Sequence, residues 1–173
     1  MRTQLSVFVV TVVLVLLNLT SASAQELAAR HSFGVTTGLV NFDLSGTGNT
    51  WGVGFRGTRA LTSHVAVEFS ALMAWPDLQG GRAMLFVPET HLQYHWRLGK
   101  FSPYAGGGIG FAHQSRDGSE SVTNLALSTA GGVRAYVSDR LALMGEFRLR
   151  GIQRDFSGTT AELMGGLSFD IGR

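Results

Sequence analysis

The chain contains no cysteine and a single lysine, Lys100. Without cysteine there is no disulfide framework, no lipid anchor on a thiol and no thiolate-bound metal. Charged residues make up 15% of the sequence, against about 25% in an ordinary soluble protein. Little material is therefore left for the Lys- and Glu-rich surface that normally faces water. The formal net charge is only +2, so no basic field marks nucleic acid as a partner. Beyond the N-terminus, no stretch carries apolar residues at helical spacing.

The first residues are of a different kind. Arg2 supplies a short basic region, residues 7–17 are almost entirely apolar, and Ala22-Ser23-Ala24 is a small-residue cleavage pattern. This is the architecture of a secretory signal peptide over residues 1–24, cut before Gln25. Its apolar core is too short to span about 30 Å of hydrocarbon, and no basic stop-transfer run follows. Residues 25–173 then form one domain with one core. All 23 glycines fall in this part.

Period two recurs along the domain. Phe33, Val35, Thr37 and Leu39 alternate with Ser32, Gly34, Thr36 and Gly38, and Trp51, Val53 and Phe55 with Gly52, Gly54 and Arg56. The pattern repeats from Val65 to Trp75, Met84 to Arg97, Tyr104 to Phe111, Leu125 to Val137, Leu141 to Arg150 and Leu163 to Ile171. Eight strands are predicted. Their connections alternate in length: residues 60–64, 98–102 and 138–140 are short, whereas 41–49, 76–82, 114–121 and 152–160 are longer and polar. Such alternation describes an all-β, antiparallel up-and-down barrel with short turns at its inner end.

The middle of the chain, "SPYAGGGIGFAH", carries Gly106, Gly107, Gly108 and Gly110. A dinucleotide fingerprint needs a strand before it and a helix after it, with a different glycine spacing. Here the strand pattern runs straight through. Glycines on one face of a strand instead leave room for long side chains opposite.

One face of each strand is apolar. The other is Gly, Ala and Ser, punctuated by Arg56, Glu68, Glu89, His91, His95, Arg97, Arg134, Glu146, Arg148, Arg150 and Asp170. That second face suits the interior of an eight-stranded barrel, which is just wide enough to be filled by side chains. Charges held there must pair, and these residues are the expected polar network of the lumen. The apolar face then turns outward to lipid, making this a transmembrane barrel. Trp51 and Trp75 lie at the long-loop end, and Tyr94, Trp96 and Phe169 at the short-turn end, as two interfacial girdles require. Strands of about 10 residues at about 3.3 Å each, tilted about 40°, span the corresponding height of about 25 Å. The reverse orientation would be a soluble periplasmic ligand-binding barrel.

Residues Phe86–Ala112, "FVPETHLQYHWRLGKFSPYAGGGIGFA", resemble a hairpin of small outer-membrane β-barrels of the OmpW and OmpA-like porin type. Pro88, Thr90, Gln93 and Tyr94, then Pro103, Tyr104, Gly106 and Gly108, fill that pattern. The resemblance implies an eight-stranded barrel in the outer membrane of a Gram-negative cell, among phospholipid and lipopolysaccharide. It implies insertion by the assembly machinery, and for OmpW-type relatives passage of small hydrophobic molecules. Such barrels usually end on an aromatic residue. Here Phe169 is followed by Asp170 to Arg173, a slightly degenerate form of that signal.

No metal or other cofactor is expected, since His91 and His95 share a face with Glu89 and Gln93 as a polar network would. A monomer with a structural or small-molecule permeation role is the leading expectation. The enzymatic alternative rests on His113 and Ser115, on one face at the long-loop end. A His-x-Ser pair there resembles the lipid A deacylase family, in which Ser attacks an acyl ester with His as base. Glu120 is the nearest candidate acid, and Arg116 stands where that family has Asn.

Overall fold

The computed structural model describes residues 31–42, 48–78, 81–116, 120–152 and 158–171. The expected signal segment, residues 1–24, lies outside them. The elements are β1 (His31–Phe42), β2 (Asn49–Ala60), β3 (Val65–Ala74), β4 (Asp77–Leu78), β5 (Gly81–His95), β6 (Phe101–Arg116), β7 (Val122–Tyr136), β8 (Leu141–Ile152) and β9 (Gly158–Ile171).

Leaving out β4, each strand pairs antiparallel with the next, β3 with β5 among them, and β1 pairs with β9, so eight strands form a closed ring. The ninth element, β4, pairs only with the start of β5 and extends one hairpin at the long-loop end. Closure matters because an unpaired backbone amide costs several kcal/mol in hydrocarbon, where no water replaces its partner. The short turns are tight: Gly99, at φ 62°, supplies the left-handed residue between β5 and β6.

Alternating burial fixes the orientation. Trp51 is 64% and Phe69 62% exposed on the outside, whereas Glu68 is 0% and Arg148 3% exposed within. A water-soluble carrier requires the opposite arrangement, so that alternative is corrected here. Trp51 and Trp75 stand outward at the long-loop rim, with Tyr94, Trp96 and Phe169 at the other. Tyr94 and Trp96 touch edge-on at 5.1 Å between centroids, and His64 stacks on Tyr94 at 5.7 Å.

Two kinds of interior are stacked along the axis. Toward the long loops the lumen is filled by Val40, Leu72, Ala74, Leu85, Val87, Ala112, Ala126 and Met164. Below this plug it is polar. Inward glycines create the space: a Cβ at Gly108 would lie 2.6 Å from the His91 ring, and one at Gly132 2.6 Å from the Tyr104 hydroxyl. Outward Gly57 and Gly145 have nothing within 4 Å of that position.

Several strands run past the ends that apolar alternation marks. The largest extension at a strand's start is in β9, which begins at Gly158 rather than Leu163 because Thr159 and Thr160 continue the ladder opposite Gly151 and Arg150.

Candidate functional site

Four arginines and four glutamates, each no more than 6% exposed, fill the polar half of the lumen: Arg56, Arg134, Arg148 and Arg150 with Glu68, Glu89, Glu146 and Glu162. Arg56, on β2, donates from both terminal nitrogens to Glu146 on β8, at 2.8 and 3.1 Å. Arg150 grips Glu89 in the same two-pronged way, from Nε at 3.1 Å and Nη2 at 2.7 Å, and also pairs with Glu162. Arg148 is the hub, reaching Glu89 and Glu146 at 3.0 Å, Glu68 at 3.3 Å and the Ser70 hydroxyl at 3.1 Å. Two-pronged charged bonds are among the strongest a side chain makes, and they tie β2, β3, β5, β8 and β9 across the barrel.

Neutral groups complete the set. Tyr104 donates its hydroxyl to Glu146 at 2.8 Å, and Arg134 donates to Ser32 at 3.2 Å and Thr58 at 3.0 Å. His91 Nε2 lies 3.1 Å from Glu89 and 3.4 Å from the Ser128 hydroxyl. His95 lies 3.2 Å from Gln93 and 3.4 Å from Ser102. Among the described residues no three His, Asp or Glu side chains converge as a metal site.

Two expected members sit elsewhere. Arg97 is exposed because it lies at the mouth, one rung from the β5–β6 turn: the Trp96 N–H still donates to the Pro103 carbonyl at 2.9 Å and Leu98 bridges Phe101, so Arg97 lines the opening rather than the buried network. Asp170 is half-buried at the short-turn mouth, where its backbone N–H donates to the Arg140 carbonyl at 2.8 Å. Glu162 is the member that sequence reasoning missed. It has the same parity as Met164 and Gly166, so extending the alternation two residues upstream finds it.

His113 and Ser115 share the outward face of β6 opposite Phe86 and Met84, near the long loops. The His113 Nδ1 atom lies 2.9 Å from the Thr123 hydroxyl across the β6–β7 ladder. Glu120 is exposed just before β7.

Solved structures with this architecture include Neisserial surface protein A (NspA), at 12% identity and TM-score 0.67, with 83% of this chain and 97% of that one covered. Another is Ail, the attachment invasion locus protein of Yersinia pestis, at 13% identity and TM-score 0.61, covering 84% and 100%. The outer membrane enzyme PagL aligns at 15% identity and TM-score 0.50, covering 81% and 99%. At these identities the likeness is one of fold. No curated protein matches the sequence. The family model for the outer membrane protein beta-barrel domain matches residues 11–169. The chain therefore belongs to the outer membrane protein beta-barrel family, and its outward apolar band is the surface that meets outer-membrane lipid.

Proposed function

We propose that the protein serves the outer membrane as a closed structural barrel that works as a monomer. The observation that carries this reading is the cross-section: an apolar plug stacked on eight buried, mutually paired charges. A water or ion entering from either side would have to separate groups held at 2.7–3.3 Å. Permeation of a small solute would require that network to open. Every barrel strand has two partners, which removes the unpaired edge through which copies would join.

In planar bilayers the protein is expected to give no conductance steps, and Arg148→Ala, which unlocks three carboxylates at once, to admit transient ones. Steady conductance from the unaltered protein would refute the closed reading and favour permeation.

A non-enzymatic role goes with this proposal. The competing reading, hydrolysis of a lipid acyl ester, is favoured by the placement of His113 and Ser115 on one lipid-facing surface near the long-loop rim. Against it stands His113 Nδ1, the position an orienting acid would occupy, which faces Thr123. Loss of an acyl chain from lipid A in cells overproducing the protein, absent with Ser115→Ala, would establish the esterase.

A further inference from the structure

The short-turn end of the barrel holds a cavity of about 590 Å³ that the Proposed function leaves unused. Short turns mark the periplasmic side in barrels of this type. The cavity is blind, because the buried network closes it above. Its volume lies in the range of small-molecule sites. Arg134 and His95 line its inner end, and Arg97 and Lys100, on the β5–β6 turn, line its mouth.

Two observations give its charge. Arg97, Lys100 and Arg134 are three cations placed around one space. The network above closes its own charges, with Arg148 bridging Glu68, Glu89 and Glu146, so its carboxylates are committed to partners away from the cavity. Arg134 also has its nearest carboxylate at 3.6 Å, and its buried Nε has no hydrogen-bond partner. The wall carries two carboxylates, Asp139 and Asp170, both with interactions of their own. A ligand suited to this lining has concentrated negative charge at one end and hydroxyl donors at the other.

We propose that the cavity binds a phosphorylated polyol from the periplasmic side. The phosphate sits between Arg97, Lys100 and Arg134, and the hydroxyls face Asp139 and Asp170. Free glycerol phosphate brings it as a monoester with nearly two negative charges at neutral pH, and a phosphatidylglycerol headgroup as a diester with one, both carrying the same hydroxyls.

Backbone amide shifts of the full barrel in nanodiscs test the proposal, with glycerol 3-phosphate, glycerol and a short-chain phosphatidylglycerol as probes. Saturable shifts at Ser102, Arg134 and Tyr136 are expected with glycerol 3-phosphate and not with glycerol. Arg97→Ala combined with Lys100→Ala should weaken binding by about tenfold or more. Arg59→Ala, an exposed change on the outside of β2, should leave it unaltered. Added salt should weaken binding to the unaltered protein, a readout that needs no variant to fold. The same cavity shifts from the lipid alone would uphold the site and assign the phosphate to a headgroup. Absence of saturation with both phosphates, equal response to glycerol, or shifts confined to the outer belt around Tyr94 and Trp96 would overturn the proposal.

Discussion

Replacing Arg148 by methionine removes a guanidinium that touches three carboxylates, Glu68, Glu89 and Glu146, while keeping much of its volume. Glu146 keeps Arg56, and Glu89 keeps Arg150. Glu68 is left with two contacts of 3.6 Å, to Arg56 and Arg134, and the lumen gains one uncompensated negative charge. Breaking a buried pair by removing one partner costs about 3–5 kcal/mol, because the orphaned charge stays desolvated. With a urea slope of about 1–3 kcal/mol per molar, the unfolding midpoint should fall by about 1 M or more. Tryptophan fluorescence in lipid vesicles, with heat-modifiable gel migration as a second probe, reads the shift. Adding Glu68→Gln should recover much of the loss, since it removes the charge that the first change orphaned. A single variant within about 0.5 kcal/mol of the unaltered protein, the scale of ordinary surface changes, would show that the lumen is wet enough to screen its charges, and the reasoning would fail.

The glycines separate into two classes by the same assay. Gly108→Ala drives a methyl into the His91 ring and should cost about 1–3 kcal/mol, whereas Gly145→Ala points into open space and should be neutral or stabilising by up to about 1 kcal/mol. Equal effects would contradict the inward and outward assignment. On the outer surface Phe69→Arg, midway along β3, should cost about 2–4 kcal/mol in a bilayer; a neutral result would place that face away from lipid.

The barrel was readable because period-two alternation is a local signal that repeats in every strand. Its handedness, inside against outside, came from composition: small residues with scattered Arg and Glu pack only inward when lysine is scarce. The network itself was half legible. Parity named Arg56, Glu68 and Arg148, but not that Arg148 joins three carboxylates, because that depends on how strands far apart in sequence stagger around the ring. Arg97 keeps its parity but lies at the mouth, because alternation names a face and not a depth along the axis. Glu162 escaped because Thr159 and Thr160 look like loop, though the ladder supports them as strand. The cavity had no linear signature at all. Its walls come from three turns and the ends of several strands.

The cross-braces join residues distant along the chain: Arg56 meets Glu146 across 90 positions, and Arg134 meets Ser32 across 102. Hairpins supply only part of the pairing: Arg56 meets Glu68 within β2–β3 and Arg150 meets Glu162 within β8–β9, whereas Arg148 reaches Glu68 and Glu89 only across the ring. Until the first and last strands zip together, the Arg and Glu side chains must keep their hydration, and a half-inserted sheet must carry that water with it. Full dehydration of the centre is therefore coupled to sealing of the seam, since the bonds from Arg56 to Glu146 and from Arg148 to Glu68 and Glu89 form only when the ring closes.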